Sequence, residues 1–436
     1  MPAALINISN RDYHDMNDTI IKLSRNTDRA PISSTSTQSV AFSHYNNISA
    51  QLPIDPKTGT LASADIGAQA KQCLDNIKAI VESTDHLMDD VIKITVFLKD
   101  IADMQAVNAV YRTFFTDYLP TRNVVMVAEL PIDNALVQMD ALLSNGEGTH
   151  PQAPCKLIKV AKNTDNAPID SLSTQTVAFS HYNNVSAQLP IDPTSGQLVA
   201  GGIVEQTAQC LTNLKSILNS IDVGIDDIVK INISLTNLVD IAAVDDVYST
   251  FFPDTAIARA VNYLPARTVT MVSGLPMAAL VQIEAVVSHG DGTPPQAVED
   301  RHGIVIKANN TEQAPKHSLS TQMVAFSHYN HLSGQLPINP ETGKLIGGDT
   351  LAQTKQCLEN IKAIVESTNH KMDDIVKVTI QLKDISDIDT VNDIYATFFD
   401  GELPARTVFG VSAIPMDALI QIDAVLSNAE GTPPVR

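Results

Sequence analysis

One passage occurs three times in this chain. Val40-Ala41-Phe42-Ser43-His44-Tyr45-Asn46 returns at residues 177–183 and again at 324–330. Pro120-Thr121-Arg122 likewise returns as Pro265-Ala266-Arg267 and Pro404-Ala405-Arg406. The spacing fixes the register: Gln38, Gln175 and Gln322 each precede Cys73, Cys210 and Cys357 by 35 residues, and Lys93, Lys230 and Lys377 follow those cysteines by 20. A unit of about 140 residues can bury its own core, unlike a short solenoid repeat. The expected organisation is three domains: 1–148 with an N-terminal extension of about 20 residues, 149–292, and 293–436. The second carries eight extra residues near 253–264, a candidate lid or obstruction. A small protein that ordinarily assembles as a symmetric oligomer is thereby joined into one chain, so a site between subunits becomes a site between repeats.

Within one repeat, residues 38–43 and 48–52 read as strands around a polar turn at 44–47, followed by turn chemistry at 53–59. Helix signals start at Asp65, Gly202 and Asp349, with Ile66, Ala70, Cys73, Leu74, Ile77, Ile80 and Val81 forming one apolar stripe. Residues 91–98 form a β-branched strand with Ile92, Ile94, Val96 and Leu98 on one face, and a second helix covers about 104–115. Strands at 123–128 and 136–144 complete a ββαβαββ unit of the α+β class, with two helices over one face of a mixed sheet. The repeats end in Gly146-Glu147-Gly148-Thr149-His150-Pro151, Gly290-Asp291-Gly292-Thr293-Pro294-Pro295 and Ala429-Glu430-Gly431-Thr432-Pro433-Pro434, where Gly followed by Pro reads as an exposed linker.

A net charge of -20, with no basic run, argues against nucleic acid, whose phosphates must be neutralised by Lys and Arg. Cys73, Cys210 and Cys357 occupy one apolar position three times, Cys155 falls in a junction, and neither zinc nor disulfide spacing occurs. Residues 1–17 lack the basic and apolar regions of a signal peptide, and no 18-residue apolar run occurs. These readings predict a cytoplasmic protein without metal, cofactor or membrane partner.

Nucleophile elbows, phosphate loops and metal-binding motifs are missing from the sequence. The thrice-occurring Pro-x-Arg remains: Arg122, Arg267 and Arg406 enter a strand after proline, where a held guanidinium suits bidentate grip of a carboxylate. The alternative is internal pairing, with Glu129, Asp140 or a neighbouring repeat's acid as partner. Gln138 with Asp140, Gln282 with Glu284, and Gln421 with Asp423 lie two apart and share a strand face, either orienting a water or bordering the sheet. Ser49-Ala50, Ser186-Ala187 and Ser333-Gly334 end a strand with small residues, leaving room near the backbone. His44, His181 and His328 read as solvent-facing turn residues.

The run Gln51-Leu52-Pro53-Ile54-Asp55-Pro56-Lys57-Thr58-Gly59, the helix from Ala68 to Glu82, Val107-Asn108 and the Pro-x-Arg sites together resemble the RidA (YjgF) family, over about residues 20–436. That resemblance implies chorismate-mutase-like domains, here an intramolecular pseudo-trimer with clefts between repeats. It implies an enamine/imine deaminase that hydrolyses 2-iminopropanoate and 2-iminobutanoate to 2-oxo acids. In such proteins the arginine binds the substrate carboxylate, which is Arg122, Arg267 and Arg406 here. Ser49, Ala50, Ser186, Ala187, Ser333 and Gly334 match the family's Ser-Gly, and Asn108 and Asn392 match its helix asparagine, with Asp245 in repeat 2. Two departures stand out. The family's tyrosine two residues before the first-strand glutamine is Ser36, Ser173 and Ser320, and its water-positioning glutamate is Gln138, Gln282 and Gln421. An amide cannot accept a proton at neutral pH, and loss of a general base typically costs about 10²–10⁴ in rate. The rival readings are a non-catalytic binder of small carboxylates and, less favoured by the acidic surface, an endoribonuclease.

Overall fold

The computed structural model describes residues 20–115, 118–146, 148–150, 157–252, 263–290, 292–294 and 305–432. Most of the expected N-terminal extension, Cys155, and residues 253–262 of the repeat-2 insertion lie outside them.

In the first unit the strands are β1 (Leu23–Arg25), β2 (Ser39–Phe42), β3 (Tyr45–Gln51), β4 (Ile54–Asp55), β5 (Thr60–Leu61), β6 (Val91–Leu98), β7 (Thr121–Met126) and β8 (Val137–Ser144). The helices are α1 (Ile66–Ser83) and α2 (Met104–Tyr111). Six strands form a sheet in the order β1-β2-β3-β8-β6-β7, and β4 and β5 form a separate small hairpin where the sequence predicted only turns. β6 and β7 run parallel; the other neighbours are antiparallel. The same order recurs in both later units.

Helix α1 begins where Asp65 accepts a hydrogen bond from the Ala68 N–H at 2.8 Å. Asp349 does the same for Ala352, while Gly202 is capped through Glu205 Oε2. Each arrangement satisfies an N–H that the first helical turn leaves open. The predicted stripe from Ala70 to Val81 is buried and packs on β3 and β8 with Ile48, Met139 and Ala141. Ile77 is fully buried there, so Ile77→Ala should cost about 2–5 kcal/mol. Urea denaturation measures this, and an unchanged midpoint would show that the first core does not limit stability.

Three local expectations are corrected. The turn predicted at 44–47 is shorter, because Ser43 takes a left-handed φ of 50° and the chain re-enters the sheet at Tyr45. Ile92 does not share a face with Ile94, Val96 and Leu98. A bulge between Val91 and Lys93 turns it to the opposite side, into a core shared by all three units. The repeat ends are not simply exposed linkers: Thr149, Thr293 and Thr432 are buried, and their hydroxyls accept the N–H groups of Ser43, Ser180 and Ser327.

The helices cover one face of each sheet; the other face meets the neighbouring units. Tyr45 Oη donates to Phe179 O, Tyr182 to Phe326 O, and Tyr329 to Phe42 O. These bonds run from unit 1 to 2, from 2 to 3, and from 3 back to 1. The three tyrosine rings meet edge to face, with centroids 5.7–6.2 Å apart. A second shared apolar cluster gathers Phe97, Val125, Leu130, Val272, Leu275, Phe409 and Ile414.

Candidate functional site

Each arginine sits at the start of the strand paired in parallel with the long central strand, where a neighbouring unit supplies a serine. The Arg122 N–H donates to Ser186 Oγ at 2.9 Å, Arg267 to Ser333 at 2.8 Å, and Arg406 to Ser49 at 2.8 Å. Each serine donates onward at 2.6 Å to Thr174, Thr321 or Thr37 carbonyl oxygen. Arginine and Ser-Ala or Ser-Gly segment thus come from different units at all three seams.

The guanidinium groups are buried, with residue exposures of only 5–6%. Each lies over a tyrosine ring, at 4.5 Å for Arg122 on Tyr111, 4.7 Å for Arg267 on Tyr248 and 4.6 Å for Arg406 on Tyr395. Sequence reasoning did not place these tyrosines at the site. The missed signal is their constant position three residues after Asn108, Asp245 and Asn392, on the same helical face.

The three seams differ in what occupies the guanidinium. Arg267 donates to the Asp245 carboxylate, an internal ion pair of the kind foreseen as the alternative. Arg122 donates to Asn108 Oδ1 at 2.7 Å, and its Nε, like that of Arg267, is buried without a partner. Among the described residues the Arg406 guanidinium reaches only the Thr35 carbonyl, at 3.5 Å; its Nε and one terminal nitrogen are buried and unpartnered, as is Asn392 Oδ1. Burial lowers the pKa of both Arg122 and Arg406, with their tyrosines acting in the opposite direction. Arginine stays charged under these conditions, so a desolvated cation with open donors is a site for an anion. Glu129 and Asp140 do not pair with Arg122; they bind Lys99 and Lys377.

The glutamines cross the same seams. Gln138 Nε2 donates to Val408 O at 3.1 Å and Gln421 to Val269 O at 3.1 Å, while Gln282 donates to Asn123 Oδ1 and Val124 O. Each therefore contacts the strand that carries the neighbouring unit's arginine. Gly334 is tightly enclosed. Its N–H donates to Arg267 O at 3.0 Å, and a Cβ there would lie 3.0 Å from Thr268 and 3.1 Å from Gln421 Nε2. Ala50 and Ala187 occupy the matching places.

Asp140 and Asp423 share the glutamine face as expected, yet they turn to lysines and threonines of neighbouring units. Burial works against the Asp140 charge, but Lys377 and Thr407 outweigh it and hold its carboxyl below the usual range. The histidines are not solvent-facing: His44 and His181 are buried, and His328 is largely so. Cys73, Cys210 and Cys357 are buried free thiols, pushed up by burial into an unreactive range. Among the described residues no helix is long and apolar enough to cross a membrane.

The family model for endoribonuclease L-PSP matches residues 27–144, 164–289 and 311–427. A RutC family protein of Pyrococcus horikoshii is 42% identical over 116 residues, covering 26% of this chain and 92% of that protein. The 2-iminobutanoate/2-iminopropanoate deaminase of Rattus norvegicus is 36% identical over 123 residues, 28% of this chain and 90% of its own length. The crystal structure of the YjgF gene product from E. coli is 40% identical, covering 28% of this chain and 98% of that one, with a TM-score of 0.27. The three successive matches to the family model leave little of the sequence unaccounted for, and the chain belongs to the endoribonuclease L-PSP (RidA/YjgF) family.

Proposed function

We propose that the chain is a single-chain imine deaminase, with chorismate-mutase-like units spanning 1–148, 149–292 and 293–436 closed into a pseudo-trimer. Its substrates are short 2-imino acids such as 2-iminopropanoate and 2-iminobutanoate, and its products are the 2-oxo acid and ammonia. The observation that carries this reading is the Arg406 guanidinium, buried over Tyr395 with two open nitrogens and, among the described residues, no acid paired with it. A planar carboxylate matches that pair of donors.

With the carboxylate held, the imine carbon lies in the seam beside the Ser49-Ala50 segment and Gln138. The oxygen of a water adds to the imine carbon and one of its protons passes to the nitrogen. Collapse of the resulting carbinolamine delivers the second proton to nitrogen, breaks the C–N bond and leaves the C=O of the 2-oxo acid. The nitrogen is the more basic atom, so the cleft needs to orient the water rather than deprotonate it first. Gln138 Nε2 is committed to Val408, which leaves the amide oxygen as the group that accepts from this water. Orientation of this kind lowers the barrier through proximity.

A second reading, a non-catalytic binder of small carboxylates, is favoured by those same amides, which tie units together and offer no base. Ammonia release from freshly generated 2-iminobutanoate separates the two. Acceleration by purified protein is expected. Binding of 2-oxobutanoate without acceleration would establish the binder instead, and neither result would end both readings.

A further inference from the structure

Where the three sheets meet lies a half-open cavity of about 220 Å³, lined by apolar side chains such as Phe97 and Val286 as well as by polar ones, and bordering the arginine seams at Asn123 and Thr268. Its wall carries a ring of three ion pairs, each between neighbouring units: Lys93 with Glu284 at 3.0 Å, Lys230 with Asp423 at 3.5 Å, and Lys377 with Asp140 at 3.1 Å. Three lysines and three acids leave the ring without net charge.

The ring departs from threefold regularity at one place. Asn232 stands where the other units have Thr95 and Thr379, Glu284 where they have Asp140 and Asp423, and His331 where they have Asn47 and Asn184. Asn232 Nδ2 donates to Glu284 Oε1 at 2.8 Å, and the same oxygen takes Lys93. What remains is unsatisfied: Asn232 Oδ1, Glu284 Oε2 and His331 Nε2 are buried without partners. Glu284 and His331 are only 7% and 8% exposed. The lysines differ too. Lys230 also donates to Thr268 and the Leu332 carbonyl, and Lys377 to the Ile48 carbonyl, whereas Lys93 donates to Glu284 alone among the described residues.

Three substitutions that depart from the repeat pattern thus converge on one wall, each with an open polar atom, beside an ammonium with spare donors. Buried polar atoms are ordinarily satisfied, and the space is several times the roughly 30 Å³ share of a single water. We propose that this cavity binds a small zwitterion, an ammonium and a carboxylate on a short carbon frame, such as a compact α-amino acid. Glu284 Oε2 and Asn232 Oδ1 accept from the ammonium, and Lys93 donates to the carboxylate with His331 Nε2 beside it. Burial above all, aided by Lys230 and Lys93, holds His331 neutral down to about pH 3, so it adds no charge to the ring. A ligand carrying only one charge would leave a buried charge unbalanced, and a zwitterion does not.

Calorimetric titration of the full chain with glycine and L-alanine, and with acetate and methylammonium as singly charged controls, tests the assignment. Saturable binding of the amino acids that persists in Arg406→Ala is expected, with no binding of methylammonium and with any binding of acetate lost in Arg406→Ala, because the seam guanidinium is itself a carboxylate site. The His331→Asn, Asn232→Thr double variant restores residues the other units already carry, and should weaken binding by about tenfold or more. Arg406→Ala should leave it unchanged, which separates this site from the seams. The proposal is overturned by no binding at millimolar concentration, by acetate binding the Arg406→Ala variant as well as glycine does, by a double variant that binds as well as the parent, or by a crystal soaked with glycine that shows only waters in the cavity.

Discussion

Arg406→Ala is expected to remove the largest share of imine deaminase turnover of any single arginine replacement, and Arg267→Ala the smallest. The order follows from what each guanidinium already holds. Arg406 has two buried nitrogens free, Arg122 spends one on Asn108, and Arg267 is committed to the Asp245 carboxylate. Truncating a buried charge that binds an opposite charge costs about 2–5 kcal/mol, roughly 30-fold or more within the affected seam. The same logic gives a gain of function. Asp245→Asn releases Arg267 into the arrangement that Asn108 makes with Arg122, so the second seam should begin to contribute. Initial rates of ammonia release for the three arginine variants and Asp245→Asn decide the matter, with Arg406→Gln checking that lost packing is not the cause. Equal losses at all three arginines, with no gain at Asp245, would remove the basis for unequal seams.

Acid should destabilise the chain well above the range in which carboxylates titrate. Burial, reinforced by His328 and His181, pushes His44 down to about 4; burial, with Lys230 and Lys93, pushes His331 down to about 3. In the unfolded chain both take a proton near 6.5. Below that value the unfolded state binds protons that the folded state refuses, so stability is complete above about pH 6.5 and falls as pH drops toward the folded values. The loss is roughly 3 kcal/mol for each histidine by pH 4. Asp140, held below the usual carboxyl range, adds its loss at still lower pH. Urea midpoints at pH 7, 5.5 and 4.5 should decline steadily, and His331→Asn should flatten the decline. Constant midpoints across that range would sink the argument.

Much of each unit's fold is legible in the repeat register. Periodicity placed α1 and its buried stripe, and Asp65 and Asp349 marked helix starts because a cap is a local bond. Arg122, Arg267 and Arg406 stood out because the same cationic residue recurs two positions after a proline at a strand start in every repeat. Properties that depend on another unit were not readable. Ile92 looks like its strand neighbours, and only a bulge sends it into the shared core. His44 looks like a turn residue and is buried instead. Asn108 and Asn392 are identical in sequence, yet one reaches its arginine and the other keeps an open oxygen, a difference set by side-chain placement alone. The ion-pair ring was hidden for the same reason: each lysine takes its acid from a neighbouring unit.

The bond from the Arg406 N–H to Ser49 spans 357 residues of sequence. A ribosome adding about 5–20 residues per second needs roughly 20–70 s to make that stretch. Through that interval the first unit presents an unmated apolar seam, open to the same seam on a neighbouring nascent chain. Chains emerging side by side on one messenger can therefore exchange third units, and slow, well-spaced translation is the condition under which each closes on itself.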